Sequence, residues 1–175
     1  MNIDNVLPKE LVENMVSFFY LRTNKHISLV NKYGKKMNKD YTYHDLDKLE
    51  DTDINTWYIF LTWKYANPEY EYPFDSKLID EATFKHIKNN QHHPEYWDKN
   101  IKNFTRDNEL DNMLVDASKM PTLAIHEMCA DWCAMSEELG KNTPYDWAKK
   151  TINKRWKFTD KQIDEIYKTL DIMWD

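Results

Sequence analysis

Residues 121–140 read PTLAIHEMCADWCAMSEELG, and this stretch decides the fold. Pro121 suits the start of a helix, where a missing N–H costs nothing, and Gly140 can take the left-handed conformation that ends one. Along this stretch and the Met120 before it, Met120, Leu123, Ala124, Ala130, Ala134 and Met135 fall on one face together with Glu127 and Asp131. Ile125, Met128, Cys129 and Trp132 fall on the other side, so the spacing predicts a helix buried nearly all round. An ionised acid in such a place is costly unless a cation or strong hydrogen bonds compensate it. Two acids one turn apart therefore call for a metal ion, unless they pair with buried Arg or Lys or sit at a helix–helix rim.

Working outward, the same periodicity predicts further helices. One starts near Lys9 and runs to about Met37, with room for a break at Arg22–Asn24; His26 shares its face with Phe19, Val30, Tyr33 and Met37. An aromatic helix covers roughly Ile54 to Tyr65, and the segment from Asn67 to Pro73, bracketed by prolines, is a loop. Asp75 or Ser76 can cap the next helix, which ends near Asn90 and places His86 on the face of Ile79, Ala82 and Thr83. Pro94 restricts His93 to extended geometry just past that helix. After a polar stretch from Asp98 to Asn112, the helix at Pro121 is followed by two shorter ones, Thr143–Asn153 and Thr159–Met173, the first with Thr143 as cap and Pro144 at its first position.

Composition agrees with an all-α, single-domain chain over residues 1–175. Among 175 residues only Gly34 and Gly140 are glycine, which argues against a barrel, a sandwich or a glycine-rich nucleotide loop. The net charge of −6 provides no global basic field, so nucleic acid is not an expected partner. Cys129 and Cys133 are four apart, without the spacing of a zinc knuckle or a redox pair, and are expected to be buried free thiols. The N-terminal MNIDNVLPKE lacks the basic-then-apolar pattern of a signal peptide. No apolar run approaches the roughly 20 residues of a membrane span. A soluble, cytoplasmic protein is expected.

The chemistry lies in the histidines. The chain has six, and five of them stand in the order His26, His44-Asp45, His86, His92-His93, followed by Asp131. A lone histidine on an apolar face is usually a satisfied core residue, and that reading holds for His26 or His86 taken singly. Together, inward imidazoles on two helices, a His-Asp dyad, a His-His pair at a helix end and an inward Asp favour a shared ion. Neutral imidazole and carboxylate are donors for Zn, Fe, Mn and Co. His126 falls on a different face from Glu127 and Asp131 and is expected to be structural.

His26, His44-Asp45 and Asp131 resemble the four-ligand core of the HD superfamily of metal-dependent phosphohydrolases, and His44-Asp45-Leu46-Asp47-Lys48 is similar to the HD-x-x-K run of its cyclic-dinucleotide phosphodiesterases. The further imidazoles His86, His92 and His93 resemble the additional ligands of members that hold two or more metals. The pattern His86-x-x-Asn89-x-x-His92-His93-x-x-Tyr96-Trp97 with Glu127-Met128-x-x-Asp131-Trp132 looks like an uncharacterised bacterial and phage family. The resemblance implies an HD-like helical bundle. It also implies one or two divalent ions (Mn, Fe, Co, Zn or Mg) held by His26, His44, Asp45, His86, His92, His93 and Asp131.

On that basis the expected activity is hydrolysis of a phosphate ester or anhydride, with a nucleotide as the small-molecule substrate, through metal-activated water. Asp45 suits a bridging role and Lys48 could neutralise a phosphoryl oxygen. Glu127 could be a ligand, an acceptor from a ligating imidazole or a proton carrier. Arg22, Lys85 and Asn89 are candidate phosphate contacts. Trp57, Tyr58, Trp63, Tyr96 and Trp97 could stack a base, though core packing is their ordinary use. Trp147, Trp156 and Trp174 could serve a homo-oligomer interface. Two alternatives belong to other classes: a di-iron oxygenase built on the same fold, and a non-catalytic protein that binds a metal or a nucleotide.

Overall fold

A computed structural model describes residues 7–102 and 114–174. The long first helix, α1 (Lys9–Lys35), buries one stripe: Met15, Phe19, Thr23, His26, Ile27, Val30, Tyr33 and Gly34. It runs without the break that Arg22–Asn24 allowed. The chain then reverses at Asn38, which has a positive φ of 56°, and Lys39 donates its N–H back to the Gly34 carbonyl at 3.0 Å. A short helix α2 (Asp47–Glu50) leads into α3 (Thr52–Ala66), capped by the Asp51 side chain. Next come α4 (Lys77–Asn89) and the single turn α5 (Pro94–Trp97).

The predicted central helix is α6 (Thr122–Leu139). It lies between α1 and α8 (Asp160–Trp174), with α7 (Pro144–Thr151) also against it. Every residue from Ala124 to Ala130 is buried, as are Trp132, Cys133, Ala134 and Ser136. Leu123 departs from the expectation at 64 % exposure, because it lies in the first turn and the helix's burial begins only at Ala124. Gly140 ends the helix at φ 61°. Cys129 and Cys133 are buried free thiols.

α7 begins as its sequence prescribes, with a capping box between Thr143 and Asp146 and Pro144 at the first position. It stops at Thr151 rather than Asn153, because Asn153 turns back at φ 56° and donates its N–H to Trp156. That turn opens a two-residue strand, β2 (Trp156–Lys157), paired in parallel with β1 (Val115–Asp116). Neither strand has a signal in the sequence. The architecture is otherwise all-α, and most of the polar stretch from Asp98 to Asn112 lies outside the described residues. Among the described residues no helix is long and apolar enough to cross a membrane.

Among the described residues two apolar clusters make the core. One surrounds α6 and includes Val30, Tyr33, Tyr41, Ile125, Met128, Ile166 and Leu170. The other joins α1, α3 and α4 through Met15, Phe19, Ile54, Tyr58, Phe60, Leu61 and Ile79. Trp156 is buried and stacked on Trp132, and Trp174 stacks on Tyr33. Glu95, fully buried, accepts from Trp156 Nε1 at 2.9 Å and Arg155 Nη2 at 3.3 Å. It thereby ties the His92-His93-Pro94 turn to β2.

Gly34 is where the loop carrying His44-Asp45 meets α1. A Cβ there would overlap the Tyr41 ring, whose Cε2 would lie 2.8 Å away. Tyr41 is buried and its N–H donates to Asn31 Oδ1. A Gly34→Ala variant should lose about 1–3 kcal/mol through overpacking. Chemical denaturation measures this as a lower midpoint at unchanged slope.

Candidate metal centre

The histidines and acids picked out along the chain converge at one place. His26 comes from α1 and His44-Asp45 from the turn before α2. His86 is in the last turn of α4, His92 and His93 follow it, and Glu127 and Asp131 come from α6. His44, Asp45, His86 and His92 are each at most 2 % exposed. Asp45 is the hub and adopts φ 56°, a conformation that Asp tolerates better than most residues. Its Oδ2 lies 3.5 Å from His44 Nε2, and its Oδ1 lies 3.3 Å from His86 Nε2 and 3.5 Å from His92 Nε2. Asp131 Oδ1 lies 3.0 Å from His26 Nε2 and 4.0 Å from His44 Nε2. His93 Nε2 is 3.1 Å from His86 Nε2.

Among the described residues two groups of donor atoms share Asp45, and a third consists of His44, His92 and Glu127. His26, His44 and Asp45 form one, with Asp131 beside it; Asp45, His86, His92 and His93 form the other. Each group brings its ligand atoms within 4.8 Å of one another. Both members of the His92-His93 pair take part.

Behind the imidazoles stands a layer of carboxylates. His44 Nδ1 and His92 Nδ1 lie 3.0 and 3.4 Å from the same oxygen, Glu127 Oε1. His86 Nδ1 lies 3.0 Å from Asp47 Oδ2, and His26 Nδ1 is 3.3 Å from Glu138 Oε2. An Nδ1–H donated to a carboxylate leaves the Nε2 lone pair pointing at the centre, the tautomer a divalent cation requires. Glu127 also has two imidazole nitrogens close enough to be a ligand itself. The hydrogen-bonding role accounts better for the arrangement, because it is repeated at Asp47. A Glu127→Gln variant should bind divalent ions about 10–100-fold more weakly, measurable by competition with a chelating dye.

The electrostatics favour a cation. Among the described residues, the carboxylates of Asp45, Asp47, Glu127, Asp131 and Glu138 meet only two permanent cations, Lys48 and Arg22. Burial alone would raise Asp131, but the His26 hydrogen bond and the nearby imidazoles outweigh it and hold the carboxyl at about 2. Glu127 is likewise held at about 2 against its burial by hydrogen bonds from His44 and His92. Burial pulls His26 down, yet Asp131, Glu138 and Asp45 raise it to about 9. Burial and the charges of His92 and His86 push His93 well below its ordinary value. Three buried atoms facing the centre have no hydrogen-bond partner among the described residues: His44 Nε2, Asp45 Oδ1 and His92 Nε2. Orphaned donors of this kind are what a divalent ion would satisfy, so the residues present fit one.

Other candidates fall differently. Lys48 donates its ammonium to Asp45 Oδ2 and sits 5.0 Å over the Tyr58 ring. Arg22 spends its Nε on Glu138 at 2.6 Å and remains partly exposed. Lys85 is paired with Asp51 and Asp53 at the start of α3. Asn89 is exposed; the next residue, Asn90, enters the cluster instead, donating to Asp47 Oδ2 at 2.7 Å and to the His86 carbonyl at 2.8 Å. His126 pairs with Glu165 at 2.6 Å, apart from the cluster as expected. Tyr58 packs in the core with its ring against His86.

Asp47, Asn90 and Glu138 are the members that sequence reading missed. Glu138 had a usable signal: it follows Asp131 by seven residues and so lies on the same helical face. A family profile matches residues 15–172. No curated protein and no solved structure matches the chain. The chain belongs to DUF5662, a family of unknown function.

Proposed function

We propose that this member of DUF5662 is a metal-dependent phosphohydrolase that cleaves a phosphate ester or anhydride of a nucleotide. The observation that carries the reading is the sharing of Asp45 between two groups of imidazoles. His44, His86 and His92 in those groups are backed at Nδ1 by a carboxylate. His26, His44, Asp45 and Asp131 would hold one ion; Asp45, His86, His92 and His93 would hold a second. A donor set of imidazoles and carboxylates suits Mn, Fe, Co or Zn. Such an ion, when bound, supplies Lewis acidity, polarising a phosphoryl oxygen and making water nucleophilic near neutral pH.

The chain's own residues do the rest. Glu127 and Asp47 keep protons on the outer nitrogens of His44, His92 and His86 and so fix the inward lone pairs. Lys48 brings a positive charge to the carboxylate at the hub, where it can also meet a phosphoryl oxygen. The unbonded end of the Arg22 guanidinium offers a second cation at the rim. Tyr43, 56 % exposed, holds its hydroxyl 3.5 Å from Glu127 and presents an aromatic face on which a base can stack.

Metal analysis of the purified protein, combined with a phosphate-release screen over nucleotides with added Mn, Co or Mg, tests this reading. Stoichiometric metal and turnover of at least one nucleotide are expected. A fully loaded protein that releases no phosphate would argue against hydrolysis. Iron content with an iron–carboxylate absorption band and oxygen consumption would identify an oxygenase instead.

A further inference from the structure

We propose that the two ligand groups fill in a fixed order, with the His86–His92–His93 group first, and that Lys48 withholds the other until its ammonium leaves Asp45. This rests on the metal reading of the site given above. The two oxygens of Asp45 keep different company. Oδ2, the oxygen nearer His44, carries the Lys48 ammonium. Oδ1, nearer His86 and His92, is buried and has no hydrogen-bond partner.

Asp131 repeats the asymmetry, because its Oδ1 already lies 3.0 Å from His26 Nε2. The carboxylates of the first group are therefore matched by groups of the protein itself. Each group has an imidazole Nε2 without a hydrogen-bond partner among the described residues, His44 in the first and His92 in the second, but the second adds the bare Oδ1 of Asp45. A cation entering there parts the Nε2 contact between His86 and His93 but meets no ammonium on its carboxylate oxygen, and it satisfies buried atoms that lack a partner. A cation entering the first group must compete with an ammonium held on the same carboxylate and supported from behind by the Tyr58 ring. Like charges on one carboxylate repel, so the first group stays weak while Lys48 remains in place.

Titration of the metal-stripped full chain with Co²⁺, followed by calorimetry and visible absorption, tests the order. The wild type should show two events, the second weaker by at least roughly 10-fold. His92→Ala should remove the tight event and His26→Ala the weak one. Lys48→Met should tighten the weak event by about 10-fold and leave the tight one unchanged, whereas Lys48→Arg should preserve the gap. Thermal unfolding of each stripped variant establishes that it is folded.

Two events of equal affinity would overturn the proposal, as would a tight event that survives His92→Ala or a gap that Lys48→Met leaves intact. So would a single ion bound by both the wild type and Lys48→Met. A chain that takes up no ion overturns the metal reading itself; two ions bound without regard to Lys48 overturn the order alone.

Discussion

An Asp45→Asn variant is expected to lose metal from both groups while remaining folded. Asp45 is the one residue common to the two donor sets, so neutralising it removes a negative ligand from each at once. The loss should exceed the roughly 10–100-fold that removal of an orienting partner costs. Asn is the appropriate replacement because position 45 sits at φ 56°, a region in which Asn is at ease and Ala is strained. The amide keeps the shape of the carboxylate and can still accept from Lys48. Elemental analysis after gel filtration should find the variant essentially metal-free, and circular dichroism should find its helices intact. Full metal content in folded Asp45→Asn would show that the convergence on this residue has another purpose.

Chelation is expected to lower the melting temperature of the wild type and to leave Asp45→Asn unmoved. Among the described residues the permanent cations that Asp45, Asp47, Glu127, Asp131 and Glu138 meet are Lys48 and Arg22, so the acids repel one another and a divalent ion relieves that repulsion. An ion present at about 100 times its dissociation constant stabilises the folded state by about 2.7 kcal/mol. For a chain of this size that corresponds to roughly 5–10 °C in Tm. Scanning calorimetry with and without chelator measures the shift directly. Identical curves for the wild type would mean that the folded state holds no ion of useful affinity.

Much of this molecule could be read one element at a time. The stripe from Phe19 through His26 to Tyr33, the closing Gly140, the Thr143–Pro144 start and the extended residue before Pro94 all follow from short-range rules, and all appear in the structure. The pairing of Val115-Asp116 with Trp156-Lys157 could not be read, because two residues carry no periodicity. Asp47 was hidden for a different reason. With 30 acids in the sequence, nothing local distinguishes a carboxylate that orients an imidazole from one that faces water. Asn89 and Asn90 show the same limit: they are adjacent and chemically identical, and only the end of α4 decides which one reaches Asp47.

The sequence by itself determined the longer helices, and with them that His26, His86, Glu127 and Asp131 turn inward, since hydrophobic periodicity is a property of each segment alone. Only the tertiary structure decided that Asp45 would stand between the two groups, that Glu127 would serve both His44 and His92, and that Lys48 would occupy one oxygen and leave the other bare. Those relations depend on the relative placement of segments from α1, the turn before α2, α4, the turn after it and α6. That placement is fixed by packing between residues as much as a hundred positions apart in the chain, a distance over which local pattern carries no information.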